Sequence, residues 1–211
     1  GVYSLLTTLS HASPGLDKMS FSFIGEGCFY PENDPTREAC VDDFYLARYP
    51  VSKNLWSKVM NKEISEEASD YTMPVANVSW NKIQVFLELL NNQSEHTYRL
   101  PTAVEWEYAC GSGKKHHRFG TKTGQLSPNE ANYTDIKNNQ TSKGIVSADW
   151  YHPNSLGLYS MSGNTWEWTD DENKMAQRKG FFGSIFGWLS KSLNQRVVKG
   201  GSFDSDTKGV K

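Results

Sequence analysis

Gly157-Leu158-Tyr159-Ser160-Met161-Ser162-Gly163-Asn164-Thr165-Trp166-Glu167-Trp168-Thr169 is the stretch on which the reading of this chain turns. Glu167 stands between two tryptophans, and a carboxylate so placed needs a strong partner, either a cation or an arginine. Gly163 suits a tight backbone turn, and Trp166 has the bulk of a core ring. Ser162, and Ser202 further on, lie in glycine-rich segments with no assignable base, so nucleophilic catalysis has no support.

Immediately upstream, residues 111–154 are rich in Gly, Ser, Asn, Thr and Lys and show almost no apolar period. A loop of that length inside a compact domain is normally functional or held by bound ions. Before it, Arg99-Leu100-Pro101-Thr102 leads into Glu105-Trp106-Glu107-Tyr108-Ala109, with Thr102 and Glu105 at the capping-box spacing that opens a short helix. Arg99 and Glu105 are expected to pair and fix that helix, with Trp106 in the core. Earlier still, Ser79 caps a helix starting near Trp80, in which Ile83, Phe86, Leu87 and Leu90 fall at i, i+3, i+4 and i+7. Ser52 caps another, carrying Leu55, Trp56, Val59 and Met60. Strands are expected from Phe21 to Gly25 and from Asp43 to Tyr49, and residues 1–18 read as a linker or N-terminal arm.

Five segments in order carry a family resemblance: Pro74-Val75 with Val78-Ser79-Trp80, Arg99 to Ala109, Gly157 to Met161, Gly163 to Thr169, and Gly200-Gly201-Ser202-Phe203. Together they resemble the formylglycine-generating-enzyme, or sulfatase-modifying-factor, family. The resemblance implies an α+β, C-type-lectin-like fold over residues 19–211, with small twisted antiparallel sheets, two main helices and long irregular loops. It also implies structural calcium. One site would use Ser160, Gly163, Thr165 and Glu167; a second would begin at Ala131-Asn132-Tyr133, with Asp135 a guess at its completion. Calcium takes six to eight hard oxygen ligands without strict geometry, which main-chain carbonyls and one carboxylate can supply. The serine at 160 stands where many members carry Asn or Asp, so side-chain coordination there would be weaker.

The family's enzymes use two cysteines that bind copper shortly after the Gly-Gly-Ser-aromatic motif. Here those positions fall near Ser205 and Val210, and the three cysteines are Cys28, Cys40 and Cys110. Soft thiolates select Cu(I), and neither a hydroxyl nor an isopropyl group replaces them. Copper is therefore not expected. The related sulfoxide synthases hold iron through histidines, but His11, His96, His116, His117 and His152 include no i, i+4 pair. Past Phe203 family members continue to a closing strand, so the C-terminal part is either missing from this sequence or closes differently.

Two functions stay open. The first is a non-catalytic ligand- or protein-binding module on a calcium-stabilised scaffold, such as a variable receptor-binding protein of diversity-generating retroelements or an accessory domain. The alternative is a copper-dependent oxidase whose cysteines lie in an absent C-terminal segment. An insertion at about 172–195 contains Phe181, Phe182, Ile185, Trp188 and Leu189, read either as a local hydrophobic flap or as a docking surface for a partner. Net charge of -2 gives no reason to expect nucleic acid. No apolar run reaches the roughly 20 residues that a membrane span needs. An odd cysteine count leaves one thiol over; a Cys28 to Cys40 disulfide is compatible with it but not selected by it. The opening residues lack a basic n-region, so no signal peptide is expected in the chain and no compartment is assigned.

Overall fold

The computed structural model describes residues 19–63, 71–135, 141–172 and 196–210, and the backbone of 3–4 and 8–9. The expected insertion, with Phe181, Phe182, Ile185, Trp188 and Leu189, falls outside the described residues.

Among the described residues, nine short strands and three α-helices make the fold. The strands are β1 (Tyr3–Ser4), β2 (Thr8–Leu9), β3 (Phe21–Ile24), β4 (Gly27–Phe29), β5 (Ala39–Val41), β6 (Phe44–Ala47), β7 (Tyr98–Arg99), β8 (Trp166–Glu172) and β9 (Arg196–Lys199). The helices are α1 (Lys53–Val59), α2 (Trp80–Asn92) and α3 (Ala103–Cys110). Among the described residues the strands form three sheets, in the orders β3-β6-β2-β7, β1-β8-β9 and β4-β5. All pairs are antiparallel except β1 with β8.

Each helix starts where its cap chemistry places it. Ser52, Ser79 and Thr102 sit in extended backbone and accept from Leu55, Lys82 and Glu105 N–H, and Glu105 answers back to the Thr102 N–H. These side chains satisfy donors that the first helical turn leaves orphaned. α2 then buries its apolar stripe of Ile83, Phe86, Leu87 and Leu90 against Trp56 and Val59 of α1. The Phe86 ring stacks on Trp56 with centroids 4.7 Å apart. A second core cluster forms around α3, where Trp106, Tyr108, Ala109 and Cys110 meet Ile24, Phe44, Leu46, Leu158 and Met161.

Within residues 1–18 two short strands are described. Thr8–Leu9 lies between β6 and β7, pairing with both, and Tyr3–Ser4 pairs with Trp166 and Glu167. The physical reason is backbone satisfaction: β6 and β7 present facing donors and acceptors that a two-residue segment fills. Cys28 and Cys40, directly opposed in β4 and β5, are joined as a disulfide, while Cys110 is free and buried.

Candidate functional site

Along β8 the usual order of a half-buried strand is inverted. Thr165, Glu167 and Thr169 are 1%, 0% and 0% exposed, whereas Trp166 and Trp168 between them are half-buried. Period-two alternation puts one set on each face, and here the polar set faces inward. Thr169 solves its burial by donating to the Val197 carbonyl, 2.9 Å away on the neighbouring strand. Glu167 accepts from the Trp106 indole N–H through Oε2, but its Oε1 is buried with no partner, as is Thr165 Oγ1. Burial pushes the Glu167 carboxyl well above the usual carboxylate range, and the indole hydrogen bond opposes that shift only in part. Two orphaned oxygens so close in sequence suit a hard cation, so the residues present fit calcium.

The loop feeding β8 is built from left-handed backbone at Gly157, Ser160, Gly163 and Asn164. At Gly163 the requirement for glycine is strict, since a Cβ would stand 2.2 Å from the Asn132 carbonyl oxygen. Asn132 and Gly163 form an isolated parallel bridge, and the Asn164 N–H donates to the same Asn132 carbonyl. The Asn164 side chain completes the junction: Oδ1 accepts from the Val146 N–H and from Asn132 Nδ2, and Nδ2 donates to the Val146 carbonyl. One buried amide thus pins the long 111–154 connection onto the motif.

Ser160, Gly163, Thr165 and Glu167 lie on this one turn and strand, and the structure brings Asn132 onto Gly163. Two of them are already committed. Ser160 Oγ donates to the Ala148 carbonyl at 2.9 Å, and Asn132 Nδ2 also donates to the Gly144 carbonyl. Tyr133 is buried with Ala131 and Val210, and Asp135 is buried nearby in the chain. Asn164 and Asn154 escaped the sequence reading. Asn154 accepts from Leu156 and Leu158 N–H and donates to the Ala109 carbonyl, tying the loop to α3. Their polar environment is created by contacts far off in sequence.

The segment after Gly200-Gly201-Ser202 folds back on that motif. A Cβ at Gly201 would lie 2.5 Å from the Gly209 carbonyl and 2.8 Å from Val210 Cα. Ser205 Oγ accepts from the Ser202 N–H at 3.0 Å, and Val210 is fully buried. Ser205 and Val210, near which the resemblance puts the enzymes' thiols, thus present an engaged hydroxyl and a packed isopropyl group. They do not fit copper. His116 is exposed and His117 is half-buried against Gly124.

Arg99 and Glu105 pair through two hydrogen bonds of 2.6 and 2.8 Å. Burial raises the Glu105 carboxyl, but the Arg99 and Thr102 hydrogen bonds and the Arg99 charge outweigh it and hold it low. Arg99 is 49% exposed, so the pair orients α3 and contributes little stability.

The model of the family described as sulfatase-modifying factor enzyme 1-like domain matches residues 13–211. The chain is 26% identical over 230 residues to the chaperone protein LppX of Paenibacillus barcinonensis, covering 82% of this chain and 79% of that protein. It is 34% identical over 109 residues to the formylglycine-generating enzyme of Bos taurus, across 46% of this chain but 27% of that enzyme. Identity is 30% over 117 residues to the inactive C-alpha-formylglycine-generating enzyme 2 of Bos taurus, 50% of this chain and 35% of that protein. Two solved structures share the fold at 17% identity each. CarF superposes with a TM-score of 0.68 over 92% of this chain and 91% of its own, and Treponema denticola variable protein 1 with 0.64 over 91% and 86%.

Proposed function

The chain belongs to the sulfatase-modifying factor enzyme 1-like family, and on that premise we propose that it is a non-catalytic protein-binding module whose scaffold is stabilised by calcium. The observation that carries this reading is the chemistry at Ser205 and Val210, near which the family resemblance puts the enzymes' thiols: an engaged hydroxyl and a buried isopropyl group stand there, and neither is a soft ligand. The similarity to a protein named as a chaperone, over most of both chains, supports a protein as the ligand. Calcium is supported by the orphaned Glu167 Oε1 and Thr165 Oγ1. Glu167 is its one charged ligand, Gly163 and Ser160 contribute through main-chain oxygen, and Asn132 and Tyr133 belong to the second calcium site that the resemblance implies.

Recognition would fall to the loops around residues 71–72 and 148–151, which the Ala148 N–H joins by donating to the Thr72 carbonyl. They expose Tyr71 and Trp150 beside a cavity of about 780 Å³ lined by Tyr49, Asn54, Tyr71 and Asp149. Large rings with polar tips suit such a role. The absence of catalysis is tested by incubating the chain with a cysteine-containing sulfatase peptide, copper and oxygen and reading the peptide by mass spectrometry. No conversion above a protein-free control is expected; conversion that a copper chelator abolishes would overturn the reading.

A further inference from the structure

At the β4-β5 hairpin two cysteines and a glutamate converge. Cys28 and Cys40 face each other across the ladder with Cα atoms 4.0 Å apart, and their sulfurs and a Glu38 carboxylate oxygen lie within 4.8 Å of one another. All three residues are exposed, and among the described residues this is the one grouping of three such ligands. Exposure makes the disulfide accessible to thiol exchange, in contrast to the buried Cys110.

We propose that reduction of this disulfide creates a binding site for a zinc-class divalent cation, held by Cys28 Sγ, Cys40 Sγ and the Glu38 carboxylate. Two molecules of an external thiol supply two electrons and two protons: the Cys28–Cys40 bond breaks, both sulfurs become thiols, and the reductant leaves as its own disulfide. Cation binding then displaces the two thiol protons to solvent. Tetrahedral zinc, with Zn–S of about 2.3 Å and Zn–O of about 2.0–2.2 Å, needs donors roughly 3.3–3.8 Å apart. Exposed side chains on paired strands reach that spacing by rotation alone.

The hairpin has reasons to persist after the covalent link opens. Gly27 stays paired with Val41 and Phe29 with Ala39, and Phe29 and Val41 are buried in the α3 cluster. The intervening loop is tied separately, by the Glu32 N–H donating to Glu107 Oε1 at 2.6 Å. Cys28 and Glu38 also line a cavity of about 520 Å³, so the fourth position of a tetrahedral ion is open to water. The thiolate donors favour zinc over calcium, which separates this site from the Glu167 oxygens.

The test compares disulfide-bonded protein with protein reduced by a phosphine and desalted without oxygen, each titrated with zinc against a chromogenic chelator. One equivalent should bind to the reduced form and none to the oxidised form. Cobalt in place of zinc should give thiolate-to-metal charge-transfer absorption. Glu38→Gln should weaken binding at least about tenfold, and a Cys28→Ser, Cys40→Ser double variant should bind no zinc while keeping a cooperative melt. Equal binding by both forms, no binding by folded reduced protein, or loss of the cooperative melt on reduction would each overturn the proposal.

Discussion

Helix α2 and strand β8 are both buried on one side, yet they meet that condition in opposite ways. The inward side of α2 is Ile83, Phe86, Leu87 and Leu90, with no polar side-chain atom to satisfy. The inward side of β8 is Glu167 and Thr169, with Thr165 just ahead of the strand on the same face, and its large apolar rings look outward. Burial by itself stabilises the first. The second is costly until each oxygen finds a donor or a cation, because an unsatisfied buried polar group forfeits its hydration with nothing in return. The difference separates scaffold from site: a region that needs nothing holds the fold, and a region with an outstanding need is where a ligand belongs.

That contrast can be broken by experiment, most forcefully in the apolar half. Phe86→Ala should cost about 3–5 kcal/mol, through lost transfer energy and a cavity beside Trp56. The loss in chemical denaturation should be the same with calcium and with a chelator. A calcium-dependent cost would show that the two halves are not separable.

Cys110 probes the polar half without altering it. Burial first, and the neighbouring Glu167 second, raise its thiol from 9.0 to about 12. A rise of three units lowers the thiolate fraction at neutral pH about a thousandfold. Because the native value lies above the unfolded one, the protection is complete below the unfolded value and fades as pH rises towards 12. Alkylation of native protein, followed by mass spectrometry, should be slower than that of unfolded chain by about that factor. Comparable rates would mean that the end of α3 opens readily.

The smallest of the three effects bears most directly on the site. Calcium at one hundred times its Kd should stabilise the chain by about 2.7 kcal/mol, seen as a melting temperature that rises with calcium and falls with chelator. Magnesium, which prefers a nearly octahedral and partly hydrated site, should substitute poorly. Glu167→Gln should remove most of the calcium response. Coincident melts with calcium and with chelator would show that packing alone holds the loop.

Much of the scaffold was legible because its signals are local. Ser52, Ser79 and Thr102 cap the helices expected of them, and the strands expected at Phe21 to Gly25 and Asp43 to Tyr49 contain β3 and β6. A two-residue strand such as Thr8–Leu9 has no period to detect, and only its neighbours across the sheet define it. Glu167 announced itself by sitting between two tryptophans. Asn164 and Asn154 did not, because an asparagine that clamps a distant loop looks in sequence like any turn residue. The Cys28–Cys40 bond was equally hidden, since the β4-β5 register that aligns the two sulfurs depends on packing against α3.

The pairing of β8 with β9 bears on how this protein can diversify. Glu172 lies directly across from Arg196, so the chain departs and returns at partnered residues, with the ladder from Trp168 to Val198 secured behind them. The entropy of closing whatever lies between grows only with the logarithm of its length, about 0.6 kcal/mol for each doubling. A change in the length of that connection therefore carries only a small entropic cost, while the pairs Glu167 with Lys199 and Trp168 with Val198 hold the two strands together behind it.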